Sequence, residues 1–321
     1  MAVRVGFVGC GGMARAHMGT LAQMNDVTMA AFCDVQRDRA EAAASEHKGA
    51  AYADHREMLE RERLDALYVV VPPGFHTDAE IMAAKKGVHL FVEKPIALTV
   101  EKAREIEAAI KQAGVISCVG YHWRYQDGAA AAKARLADRP VAMVLGYWMG
   151  GLPGVPWWRV MAQSGGQMVE QTTHIFDLAR YLVGDIRRVC TAYALRAMTD
   201  VPNLDVPDVG AAVFEFANGA IGTISNTCCL DFGYTVGLHI VSRNLVMEVG
   251  GGARIVERDK VEQVESKTNA NAAENRAFID AVKSGKRNAI KSDYSDALKT
   301  LAATLAANES AATGKPVEVR A

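Results

Sequence analysis

The sequence predicts an α/β protein: a doubly wound parallel sheet, followed by an α+β half built on a largely antiparallel open sheet. Three observations predict it. Strand and helix signals alternate over the first ~120 residues, the pattern of a parallel sheet wound on both faces. A glycine-rich turn joins the first strand to the first helix. After Tyr121 the alternation stops, and β-rich segments with two-residue hairpin signals take over. The implied division is residues 1–121 and residues 122–321.

Residues 3–9 are a continuous apolar strand, 13–24 a helix, 27–33 a second apolar strand running into Asp34, and 37–48 a helix. Asp54, with Glu57 three residues on, has the form of a capping box for a helix over 56–63. Residues 64–71 form a β-branched strand closed by Pro72-Pro73. Thr77 is placed to cap a helix over 78–86, with Gly87 where a C-terminal glycine belongs. A strand at 89–92, a helix from Thr99 to Gln112 and a strand at 116–120 complete this half. Apolar residues on both faces of these strands require helices on both sides of the sheet. In the second half, 167–183 has the pattern of one amphipathic helix, and Asn218-Gly219 and Arg243-Asn244 mark hairpins. Helices at 273–284 and 294–313 close the chain. A sheet with one apolar face left over must cover it, which points to a homodimer or homotetramer.

Lys plus Arg number 36 and Asp plus Glu 37, a formal net charge of -1, which argues against nucleic acid or an anionic membrane as a standing partner. No apolar run is long enough to span a bilayer. The chain passes from Met1 almost directly into a strand, so no signal peptide is expected. The six cysteines are scattered, with no CxxC and no metal-ligand spacing; they suit reduced thiols in a cytoplasmic protein, with no metal site.

Gly9-Cys10-Gly11-Gly12-Met13-Ala14 fits GxGxx(G/A) between a strand and a helix. The pattern alone is weak in a chain with 28 glycines; here its structural context accompanies it. Gly9 allows the tight turn, Gly11 lets the backbone approach a pyrophosphate, and Ala14 lets helix and strand pack closely. The diphosphate then rests on the helix N-terminus, where Gly12 and Met13 lie. Asp34, at the end of the second strand, is placed to accept hydrogen bonds from adenosine ribose hydroxyls. That carboxylate would repel a 2′-phosphate, so NAD is favoured; Arg37 keeps NADP possible, because an arginine there could pair with the phosphate. This is the Rossmann arrangement.

Three further segments carry chemistry. Val71, Pro72 and His76 lie in VVPPGFH, and Glu93 and Lys94 in VEKP, both at strand C-terminal ends, where ligands bind in such sheets. The third, GGQMVEQTTHIFD, places Glu170, His174, Asp177 and Tyr181 on one face if it is helical throughout. Two aromatic–arginine clusters, Tyr121 to Tyr125 and Trp157 to Arg159, suit stacking on the C–H surface of a substrate and donation to its hydroxyls or a carboxylate, or else core packing with snorkelling arginines. Arg124 and Trp158 are the substrate contacts this predicts.

From GCGGMA through VPPGFH, VEKP, GYHWRY and GGQMVEQTTH to the SAATGKPVEV tail, the sequence resembles the Gfo/Idh/MocA family of glucose–fructose oxidoreductase and inositol dehydrogenase relatives. The resemblance implies NAD(P)-dependent oxidation or reduction at a carbinol or carbonyl carbon of a sugar, inositol or related polyol. Lys94 matches the family's active-site lysine and His174 its catalytic histidine. Glu170 falls where many members carry Asp. A histidine changes protonation state near neutral pH, and so suits the proton of a reacting hydroxyl. A lysine beside that oxygen stabilises developing alkoxide charge. Glu170 would hold His174 or the substrate. Two other activities fit these residues: a dinucleotide-sensing regulator that catalyses nothing, and an NAD-dependent redox-neutral glycosidase.

Overall fold

In the computed structural model, which describes residues 2–321, the chain runs β1 (Val3–Val8), α1 (Gly12–Leu21), β2 (Val27–Cys33), α2 (Arg37–His47), β3 (Ala50–Tyr52), α3 (His55–Arg61), β4 (Ala66–Val69), α4 (Ala79–Lys85), β5 (His89–Val92), α5 (Val100–Ala113) and β6 (Ser117–Val119). Among the described residues these six strands form one parallel sheet, ordered β3-β2-β1-β4-β5-β6. All four residues of β4 are buried, as a strand covered on both faces requires. The strand order reverses between β1 and β4. The C-terminal ends of those two strands carry the glycine turn and the VPP segment, so both lie at the switch point where such sheets bind ligands.

The first compact unit comprises the residues through Ala97, Glu101–His122 and Asn269–Asp296. The late segment belongs here because its helix, Ala270–Ser284, places Phe278, Ile279 and Ala281 in one core with Val5, Phe7, Tyr68 and Phe91. The short edge strand at Ala50–Tyr52 has no sequence signal of its own; three residues against Ala31–Cys33 suffice once β2 is there to pair with. Asp54 caps α3 by accepting from Arg56 N–H. Thr77 does not cap α4: its N-cap is Asp78, whose carboxylate accepts from His55 and Arg56 instead. Gly87, at φ +77, ends that helix as expected.

The rest of the chain runs α6 (Asp127–Leu136), β7 (Val141–Gly151), α7 (Met161–Ser164), α8 (Gln167–Glu170), α9 (Thr173–Val183), β8 (Ile186–Ala194), β9 (Val209–Phe216), β10 (Ile221–Leu230), β11 (Thr235–Ser242), β12 (Leu245–Val249), β13 (Ala253–Glu257), β14 (Lys260–Val264), α10 (Ala270–Ser284), α11 (Tyr294–Thr313) and β15 (Val317–Glu318). The second unit is Leu98–Val100, Trp123–Thr268 and Ala297–Ala321. Among the described residues its nine strands are ordered β14-β13-β12-β11-β7-β10-β9-β8-β15 and pair antiparallel except for β7 with β10. Alternation sets the two faces. Ala212, Phe214, Ile224 and Leu238 point inward onto Phe176 and Ile175 of α9 and Ala303 of α11, while Val213 and Ile221 stand on the other face, each 53% exposed. Both expected hairpins form, with Gly219 at φ +90 and Asn244 at φ 58.

The expected single helix over 167–183 is broken. After α8 the Thr172 N–H bonds to the Gln167 carbonyl five residues back, and α9 starts afresh at Thr173. Thr172 is fully buried and its hydroxyl accepts from Asn226 Nδ2 of β10 at 2.8 Å, a tertiary tie that local periodicity does not register.

Candidate active site

The first unit carries the dinucleotide cradle. Gly9 has φ +88, and a Cβ there would stand 2.1 Å from the Val70 carbonyl oxygen, so only glycine fits. At Gly11 and Gly12 an added Cβ would meet nothing within 4 Å. The backbone at the start of α1 is therefore open. Its N-cap, Gly11, offers no capping side chain, and its first turn carries no acid. Such a helix start has unfilled N–H groups and favours an anion, which fits the diphosphate of a nicotinamide dinucleotide. Asp34 is buried at the end of β2. Its Oδ2 accepts from Cys10 N–H and its Oδ1 from Gln36 N–H, both at 2.8 Å, so it braces the glycine turn. Arg37 is exposed and its Nε donates to Glu41 at 2.7 Å, one helical turn away.

Beyond β4, Val71 and Pro72 lead into a short 3-10 turn, and His76 Nδ1 lies 2.5 Å from Glu80 Oε1 with both side chains fully buried. At the end of β5 the Glu93 carboxylate is 2.8 Å from His17 Nε2 and accepts from the Lys94 backbone N–H at 3.1 Å. His17 and Asn275, its second partner, were not among the expected site residues. The available signal was a histidine on the apolar face formed by Ala14, Met18 and Leu21. Burial holds the His122 imidazole below its usual range; Glu93 opposes this, while Lys94 and His17 add to it.

The second unit carries His174. Its ring stands beside two indoles, with centroids 6.3 Å from Trp123 and 6.1 Å from Trp148 and interplanar angles of 26° and 18°, and the two indole centroids are themselves 6.4 Å apart. Because of the break between α8 and α9, Glu170 and His174 do not share one continuous helical face. Glu170 Oε2 instead accepts from Trp158 Nε1 at 2.8 Å. Trp158 is wholly buried in a small core with Val206 and Cys228. Arg124 is 3% exposed, and its Nε and Nη2 donate to Asp177 Oδ2 and Oδ1 at 2.7 and 2.6 Å. Thr300 Oγ1 donates to the same carboxylate at 3.0 Å. Arg124 also lies 5.0 Å above the Tyr181 ring.

Residues 3–121 match the family model described as an oxidoreductase family with an NAD-binding Rossmann fold, and residues 139–248 match the GFO/IDH/MocA C-terminal domain. The chain belongs to the GFO/IDH/MocA oxidoreductase family. Members similar to it include the myo-inositol 2-dehydrogenase of Thermotoga maritima, 27% identical over 239 residues that cover 72% of this chain and 70% of that protein. The scyllo-inositol 2-dehydrogenase (NAD(+)) of Bacillus subtilis is 28% identical over 244 residues, covering 74% and 71%. The GFO/IDH/MocA fold is matched along its whole length by the WlbA dehydrogenase of Bordetella pertussis, solved with NADH and UDP-GlcNAcA, at TM-score 0.87, 23% identity and 100% coverage of both chains. A levoglucosan dehydrogenase solved with NADH superimposes equally well, at TM-score 0.87 with 20% identity and 100% coverage of both.

Proposed function

We propose that the protein is an NAD-dependent dehydrogenase that oxidises a secondary hydroxyl of a sugar, inositol or related polyol, or runs that reaction in reverse. The observation that carries this is the glycine turn braced by Asp34, with its open backbone over the N-terminus of α1, in a chain whose family members are named as inositol and sugar dehydrogenases. When bound, the nicotinamide supplies the hydride acceptor. His174 takes the hydroxyl proton as the carbonyl forms, and the Lys94 ammonium stabilises the developing alkoxide. His174 then passes the proton to solvent, and the two electrons are those the nicotinamide would accept as hydride. Glu170, held by the Trp158 indole, keeps a carboxylate for a substrate hydroxyl or for His174. Trp158 and Arg124 act at one remove, Trp158 by fixing Glu170 and Arg124 by fixing Asp177 in α9. Trp123 and Trp148 offer apolar faces beside His174, which suits the C–H surface of a polyol.

In this reading residues 1–121 bind the cofactor and 122–321 the substrate. Asp34 selects NAD over NADP by repelling a 2′-phosphate, and Arg37, engaged with Glu41, leaves that preference standing. The exposed Val213, Ile221 and Met143 on the outer face of the nine-stranded sheet support a homodimer or homotetramer. Six cysteines in no disulfide, two of them adjacent, support the reducing cytoplasm.

The test is NAD and NADP reduction, followed by nicotinamide absorbance, over a panel of sugars, inositols and anhydro sugars. Lys94→Ala and His174→Ala should each lower kcat/KM by about a hundred- to ten-thousand-fold while NAD still binds. Full turnover in either variant overturns the assigned roles. NAD binding with no turnover across the panel overturns the activity.

A further inference from the structure

We infer that His17 is a positioning residue for the reaction: oriented by Asn275, it anchors the Glu93 carboxylate, which in turn holds the backbone of Lys94. The inference rests on the reading above, in which Lys94 acts on the substrate oxygen.

His17 sits on the buried face of α1 among Ala14, Met18 and Leu21, and is 2% exposed. An imidazole placed there must have both ring nitrogens satisfied, since burying an unpartnered polar group costs about 1–3 kcal/mol. Nε2 meets Glu93 Oε1 at 2.8 Å. Nδ1 faces the side-chain amide of Asn275, 3.0 Å from its Nδ2 and 3.2 Å from its Oδ1. Asn275 Nδ2 already donates one hydrogen to the Asn271 carbonyl at 2.7 Å, which turns the amide so that its second N–H faces His17. With Nδ1 accepting, the ring proton sits on Nε2 and is donated to Glu93. The imidazole plane is set further by Phe91, edge-on at a centroid distance of 4.8 Å, and by Tyr68 at 5.7 Å.

Glu93 is 6% exposed, and its other oxygen accepts from the Lys94 N–H. Gly120 makes room for it, because a Cβ there would fall 2.4 Å from Oε1. The chain of hydrogen bonds from Asn275 through His17 and Glu93 therefore ends on the backbone of the residue that carries the reacting ammonium. Without the His17 donor, the buried Glu93 carboxylate must find another cation or take up a proton, and Lys94, whose backbone N–H it already accepts, is the adjoining residue. Either response moves Lys94. An outer-shell partner of this kind in metal sites changes activity by about ten- to a hundredfold, and a comparable effect is expected here.

The experiment uses the full-length protein with its lysines reductively ¹³C-methylated, the Lys94 signal being assigned by its loss in Lys94→Arg. His17→Leu deletes the donor; His17→Gln keeps an N–H at the Nε2 position. We expect the Lys94 methyl resonance to be displaced in His17→Leu and largely restored in His17→Gln, with the other lysines unmoved. In turnover, His17→Leu should lose about tenfold or more in kcat, with the KM for NAD little changed, and His17→Gln should recover most of it. An undisplaced Lys94 signal in His17→Leu, or equal displacement in both variants, overturns the inference. If the leucine variant does not fold, Asn275→Ala, which leaves His17 in place, decides: a smaller displacement of the same signal supports the inference and none overturns it. Failure of the reading above shows separately, as full turnover in Lys94→Ala for the role of Lys94 or as NAD binding without turnover across the panel for the activity, and leaves the resonance measurement intact.

Discussion

Replacing Arg124 by leucine separates two roles that the sequence alone does not distinguish. The guanidinium and the Asp177 carboxylate are 3% and 0% exposed and joined by two hydrogen bonds of 2.6 and 2.7 Å. Removing one partner of such a pair leaves a charge in a low-dielectric interior and costs about 3–5 kcal/mol. Thr300 Oγ1 keeps its bond to Asp177, so the lower part of that range is expected. At about 2–4 °C per kcal/mol for a unit of this size, the unfolding midpoint should fall by on the order of 10 °C. Calorimetric or fluorescence-detected melting measures it, and steady-state kinetics on the same samples provides the comparison. In the structural role, Arg124→Leu melts early, and what enzyme remains folded at low temperature keeps a KM close to that of the parent. A KM for the polyol raised tenfold or more with an unmoved melting midpoint refutes the reasoning, and would mean that Arg124 leaves Asp177 to reach the substrate.

Two further predictions use the same logic. Gly9→Ala and Gly11→Ala should part company: the first forces a Cβ 2.1 Å from a carbonyl at φ +88 and lowers the melting midpoint, while the second meets no protein atom within 4 Å and weakens NAD binding without lowering it, as calorimetry and NAD titration will show. Burial, reinforced by nearby ionisable neighbours, pushes the Cys10, Cys33 and Cys228 thiols up to about 12. The unfolded chain would therefore release these protons first, so the stability they contribute is present below about pH 8.5 and is lost as pH rises toward 12. An aromatic disulfide reagent should accordingly modify exposed Cys190 quickly and these three only on unfolding.

The cofactor half was legible because its signals are local. A strand, a glycine turn and a helix N-terminus lie within one short stretch, and the steric demand at Gly9 comes from its own turn against the neighbouring strand. Hairpin glycine and asparagine at Gly219 and Asn244 were legible for the same reason, since a positive φ is a property of one residue. Where local signals misled, a distant partner had intervened. Thr77 lost the start of α4 to Asp78, whose carboxylate is shared with His55 and Arg56 of another helix. The helix expected over 167–183 broke because buried Thr172 is tied to Asn226 of β10.

By itself, the sequence determined the strand and helix alternation of the first half apart from β3, the two sheet types, the nucleotide-binding turn and the family, because periodicity, turn chemistry and motif spacing are written along the chain. Only the tertiary structure decided that α10 joins the core of the first unit and brings Asn275 to His17, that Glu170 faces Trp158, and that Arg124 is bound to Asp177. Each of these is a contact between residues far apart in sequence or aimed by a break in a helix. Which way a buried polar side chain turns depends on where its partner stands, and no run of residues encodes that.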